Sequence, residues 1–266
     1  MLADYLVRGV KAGLVAGVVF GLFVALVANP LVAFADERAH AGHADGTAHE
    51  GEHAVEPAGH ADEGALSAAV TDAVSVVSGV LWGVFLGAAG FGVAFYFLEP
   101  VVPGSGAARS YVFGAAGFLT VSVAPWLVLP PAVPGVERAL DPNAATAVYL
   151  AATLAGGVAS VLGMYAYARV RPSRGRLVAT VAGAAPWTAF VVVTVGVAGV
   201  PAVPTPDSLP ADLAAGLAGV VVFGQALLWL ITAGAHARFR ERSGRSGQAA
   251  GPDGTGLAEA APAGSR

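Results

Sequence analysis

The sequence predicts an all-α, polytopic integral membrane bundle of about six transmembrane helices, with both termini cytoplasmic. Three observations carry that expectation. Of 266 residues, 56% are hydrophobic and only 12% charged, about half the charged share of an ordinary soluble domain. The mean hydropathy is +0.68. The apolar residues also fall into runs long enough to cross a hydrocarbon core, which needs about 20 residues in helix.

Six runs meet that length, at about 9–34, 68–98, 110–130, 145–168, 177–199 and 211–235. None carries Asp, Glu, Lys or Arg at its centre. Lys11, Asp72 and Glu99 sit near ends, where a side chain can reach the interface. The membrane domain is expected over 1–240, followed by a disordered cytoplasmic tail at 241–266 rich in Gly, Ser, Ala and Pro.

The cations set the expected orientation. With the N-terminus cytoplasmic, the inside set is Arg8, Lys11, Arg109, Arg169, Arg171, Arg174, Arg176, Arg238, Arg240, Arg242, Arg245 and Arg266, against Arg38 and Arg138 outside. That asymmetry follows the positive-inside rule and points to a multi-pass protein of the plasma membrane. The first run has a second reading. Arg8, Lys11, an apolar stretch and VAFA before Asp36 also fit a cleaved secretory signal. A retained helix is the preferred reading, because Gly9, Gly13, Gly17 and Gly21 recur at the four-residue spacing that lets helices approach closely in lipid. Gly79, Gly83 and Gly87 repeat the device in the second run, which reads as helix packing.

Ala-Pro-Trp occurs twice, at 124–126 and 185–187. A proline within a span frees a backbone carbonyl that can kink the helix or meet a cation, so Pro125 and Pro186 are candidate pathway positions. Gln225 is the clearest polar residue at mid-depth and a candidate for the pathway or an interhelical bond. The hydroxyls of Ser78, Thr120, Ser122, Ser160, Thr188 and Thr194 are expected mostly to bond back to their own helices.

Between the first two runs lies ERAHAGHADGTAHEGEHAVEPAGHADE, with five of the six histidines and seven of the 18 carboxylates. In the expected topology this loop, 36–66, is extracytoplasmic. Imidazole with carboxylate suits divalent first-row metals such as cobalt, nickel and zinc. His40, His43, His49, His53 and His60 are therefore candidate ligands, with Glu50 and Glu52 beside them. The loop is too poor in large apolar residues to form a core, so it reads as a collector of metal rather than a rigid cage. Capture weakens below about pH 6, because a ligating imidazole is neutral. The competing reading is a solvating, pH-responsive linker. His236 reads as interfacial.

With no cysteine in the chain, disulfides, thiolate metal sites and thiol catalysis are excluded. No phosphate-binding loop, dinucleotide fingerprint or nucleophile elbow occurs, so the chain is not expected to be an enzyme. No tightly bound cofactor and no nucleic-acid partner are expected.

The first helix ending near Asn29–Pro30, the His/Glu-rich loop, the long second span, LVLPPAVPGVE at 127–137 and GQALLWLITAGA at 224–235 together resemble the CbtA family of predicted cobalt transporter subunits. The resemblance runs over most of residues 1–240. It implies import of cobalt for cobalamin synthesis beside a small, His-containing CbtB partner, with His40, His43, His49, His53 and His60 as the metal-capturing positions. A membrane-anchored metal buffer, sensor or assembly factor is the alternative to a transporter.

Overall fold

The computed structural model describes residues 1–44, 60–131, 140–200 and 210–249, with side chains placed over 1–38, 67–131, 140–200 and 210–243. Every regular element among them is helical.

Helix α1 comprises Leu2–Phe23, a π-helical segment Val24–Ala28 and Asn29–Ala44. Helix α2 comprises His60–Leu86, a π-helical segment Gly87–Ala94 and Phe95–Leu98. Helix α3 comprises Ala107–Phe118, the π-helical Leu119–Val123 and Ala124–Trp126. The last helix, Ala211–Ala249, is α6 below. Five helices among the described residues are long and apolar enough to span a membrane. The fourth, Pro142–Ala198, is 57 residues long, and at about 1.5 Å per residue a straight rod of that length would be far longer than a bilayer is thick.

It does not run straight. Gly175 adopts φ 76° and ψ −179°, a region open in practice only to glycine, and the chain reverses there. A Cβ placed on Gly183 would sit 3.2 Å from Tyr167 Cβ, and Trp187 Nε1 donates to Ser160 Oγ at 3.1 Å. The two arms, α4 (142–174) and α5 (176–198), therefore form an antiparallel hairpin, which gives six membrane-length helices among the described residues. Asp141 starts the hairpin as an N-cap, its Oδ1 accepting from the backbone N–H groups of Asn143 and Ala144.

The closest packing joins α1 and α2. A Cβ on Gly17 would fall 2.7 Å from Gly79 O, and one on Gly21 would fall 2.7 Å from Val76 Cα. Gly13 meets Gly83, and Gly9 meets Gly87, still more tightly. The two glycine stripes are one antiparallel interface with backbone against backbone. Without water to drive helices together, such contact supplies the dispersion that holds them. Phe91, Phe95, Phe113, Leu228 and Trp229 form the buried core beside it, where α2, α3 and α6 meet.

Two boundaries differ from the sequence expectation. Helix continues from α1 to Ala44 and begins again at His60, so both ends of the His-rich segment are helical. Alanine, the strongest helix former, is frequent at both ends. Helix α6 likewise extends through Ala249, past the expected end of the membrane domain; residues 250–266 lie outside the described residues.

Candidate metal-transport site

The expected metal ligands divide between backbone and nothing described. His40 and His43 lie on the end of α1 and His60 at the start of α2, but their side chains, and all of His49, Glu50, Glu52 and His53, lie outside the described residues. Among the described residues no group of three or more His, Asp or Glu side chains converges on a metal-sized site.

Beneath the tether, α1 and α2 are tied by polar side chains. Asn29 Nδ2 donates to Asp72 Oδ1 at 2.8 Å and to Ser75 Oγ at 3.0 Å. On the same face of the bundle a cavity of about 900 Å³ lies between the end of α3 and the start of α4. Pro125, Trp126, Pro131, Asp141 and Tyr149 line it. Asp141 is its one lining carboxylate among the described residues. One oxygen of that carboxylate caps α4, and the charge itself remains at the cavity wall. The sequence signal for it was the Asp-Pro-Asn helix start, which reads as a cap and conceals a second use.

Pro125 does free a carbonyl. Lacking an N–H, it cannot bond to Val121 O four residues back. That oxygen accepts from the Tyr149 hydroxyl at 2.9 Å instead. The missing helical bond is thus replaced by a tie from α4, directly under that cavity. Pro186 stands one turn beyond Ala182 on α5, and its neighbour Trp187 reaches the bundle's middle. There Thr120 Oγ1 and Ser160 Oγ are 2.9 Å apart, and Trp187 Nε1 donates to the same Ser160 oxygen. This Thr120–Ser160–Trp187 knot joins α3, α4 and α5 at mid-depth. Thr120 and Ser160 therefore bond across helices, whereas Thr146, Thr180, Thr188 and Thr232 bond back to carbonyls four residues earlier. Gln225 is half-buried and makes no hydrogen bond among the described residues.

On the opposite face four helices meet at a charged cluster. Glu99, just past α2, accepts from the Tyr5 hydroxyl on Oε2. Its Oε1 accepts from Arg109 Nη1 at 3.2 Å and Arg240 Nη2 at 2.9 Å. Burial works to raise the Glu99 pKa, but the Tyr5 hydroxyl and the two guanidinium groups outweigh it and hold the carboxyl below its ordinary value. One carboxylate thus links α1, α2, α3 and α6. Beside it His236 is fully buried between the rings of Phe91 and Phe95, at 5.1 and 4.9 Å. Its Nδ1 lies 3.0 Å from Ser110 Oγ, and Nε2 has no hydrogen-bond partner among the described residues. His236 is therefore a core residue rather than an interfacial one. Trp229, Ala233, His236 and Arg240 share one helical stripe at three- and four-residue spacing, and that periodicity was the signal in the sequence.

These features define a helical, multi-pass membrane protein with a cavity on one face, a hydroxyl–indole knot at mid-depth, and a charged cluster on the other face. The model of one protein family, CbtA, described as probable cobalt transporter subunit, matches residues 2–241. The chain belongs to that family. Neither a curated protein nor a solved structure matches it.

Proposed function

We propose that the chain takes up a divalent transition metal, cobalt in the first place, across the plasma membrane, with nickel and zinc as competitors for the same ligands. The histidines and carboxylates of residues 40–60 collect the hydrated ion on the extracytoplasmic side. The ion then passes to the outer cavity, where the exposed carboxylate of Asp141 supplies a negative charge at the wall. The Thr120–Ser160–Trp187 knot is the barrier that must open, and its neutral hydroxyls can accept a cation without the cost of a second buried charge. A small CbtB-type subunit completes the route.

The observation that carries this reading is the cavity of about 900 Å³ on the face that bears the histidine-rich segment, with Asp141 in its wall. The twelve-to-two distribution of cations between the two faces supports both termini inside and the tether outside. The alternative, a non-transporting metal buffer, sensor or assembly factor, draws on the lack of a three-ligand metal cluster among the described residues.

Accumulation of radiolabelled cobalt by cells expressing the chain, washed with an impermeant chelator, tests the proposal. Chelator-resistant uptake is expected. Changing His40, His43, His49, His53 and His60 together to Ala should lower uptake several-fold at scarce cobalt and much less at abundant cobalt. Cobalt that the chelator strips completely would support the buffer reading instead.

A further inference from the structure

A second cavity, about 800 Å³, lies between α3, α4 and α5 on the face opposite the tether. Its volume falls within the roughly 300–1,000 Å³ of small-molecule sites, but its walls do not suit a metal cation. Among the described residues no carboxylate lines it. Arg171 and Arg176 stand at its mouth, while Val112, Ala115 and Leu119 from α3 give it an apolar wall that runs up toward Ser160 and Trp187.

The arginines are unneutralised. The bend at residues 169–176 carries Arg169, Arg171, Arg174 and Arg176 and no acid. Neither Arg171 nor Arg176 forms an ion pair among the described residues, in contrast to Arg109 and Arg240, which share Glu99. Arg171 is held over the Tyr167 ring at 5.9 Å. The hairpin it belongs to is thinly packed: the most apolar 18-residue stretch of Pro142–Ala198 has no buried residue.

We propose that this groove binds one anionic phospholipid. The headgroup phosphate lies between Arg171 and Arg176, and an acyl chain fills the groove along Ala115 and Leu119 toward the mid-depth knot. A phosphodiester matches the fork of donors that guanidinium offers. Basic pockets between helices are the places where acidic lipid headgroups lodge. Charge at one end and hydrocarbon wall along the rest select a lipid over a free ion. The lipid then serves as packing between the hairpin and α3, on the far side of the knot from the metal-facing cavity, and the inference stands whichever way metal moves.

Native mass spectrometry of the delipidated full-length protein, titrated with phosphatidylglycerol or with phosphatidylcholine of the same chains, tests it. Each arginine contributes on the order of five-fold in affinity, so the pair gives roughly 20- to 30-fold preference for the anionic lipid. That preference should vanish in the R171Q/R176Q variant and persist in R174Q, which removes a charge from the same bend but lines no part of the cavity. Ala115→Phe fills the groove from an exposed position with all arginines intact, and should lower phosphatidylglycerol retention while leaving the melting temperature unchanged. Equal retention of both lipids would overturn the proposal. So would an R174Q loss as large as that of Arg171→Gln or Arg176→Gln alone, which would mark diffuse surface charge. Displacement of the lipid by millimolar inorganic phosphate, with Ala115→Phe inert, would assign the arginines to a free anion and also refute it.

Discussion

The reversal at Gly175 can be tested with one covalent bond. The chain has no cysteine, so Tyr167→Cys with Gly183→Cys creates the only pair able to form a disulfide. A Cβ on Gly183 would lie 3.2 Å from Tyr167 Cβ. Disulfides place the two Cβ atoms about 3.8 Å apart, so a few tenths of an ångström of opening suffices. Were residues 142–198 one continuous rod, positions 167 and 183 would be separated by about 24 Å at 1.5 Å per residue, out of reach. Closing a loop of that size stabilises a chain by up to about 3 kcal/mol through the unfolded state, or several degrees of melting temperature in a protein this long. The assay is oxidation in membranes followed by a gel-shift count of free thiols, then thermal unfolding with and without reductant. Near-complete crosslinking in the monomer, reversed by reductant, is expected. Crosslinking only between chains, or none, would refute the hairpin and with it the sixth span.

Three further outcomes follow from the packing and the charges. Gly13→Ala places a methyl against the Gly83 backbone and should destabilise by about 1–3 kcal/mol, whereas Gly219→Ala, with nothing within 4 Å, should be neutral or stabilising by up to about 1 kcal/mol; denaturant titration in mild detergent compares them. Glu99→Gln leaves Arg109 and Arg240 without their anion and should cost about 1–2 kcal/mol, less than a fully buried pair because the site is partly solvated. Its pH signature has a definite sign. The folded pKa of Glu99 is lowered, so its stabilisation is complete above the ordinary value near 4.5 and is lost as pH falls through the lowered one; melting curves of the wild type should drop across that acidic window, and those of Glu99→Gln should lack this component. Asp141→Asn keeps the N-cap, since Asn and Asp cap equally well, but removes the cavity's charge. Melting within about 0.5 kcal/mol of wild type combined with a several-fold higher apparent KM for cobalt is expected, and an unchanged KM would remove Asp141 from the route.

The parts legible in the sequence are those that depend on composition along one helix. Length and apolarity mark the spans, four-residue glycine spacing marks the α1–α2 face, and the arginines at 169–176 mark a break that separates α4 from α5. What escaped depends on how helices are rotated against one another. Thr120 and Ser160 look alike whether they bond to their own helix or across to Trp187, and only the packing of α3 on the hairpin decides. The carbonyl freed by Pro125 was foreseeable, its acceptance of the Tyr149 hydroxyl was not, because that partner lies 28 residues on. Glu99 looked like a span end reaching for water. Its partners Tyr5, Arg109 and Arg240 come from three other helices, and no local pattern links them. The cations that flank His236 suggest an interface, while the stripe it shares with Trp229 and Ala233 faces the core.

Cobalt transport and cobalt storage differ in where the metal ends up. The most direct measurement is cobalt entry into sealed vesicles holding the purified chain, alone and with an added CbtB-type subunit, read by a cobalt-quenched dye trapped inside. Saturable quenching of the internal dye that is slowed by the five-histidine variant is the predicted result. Cobalt bound stoichiometrically to the outer surface, with the internal dye untouched under both conditions, would contradict it.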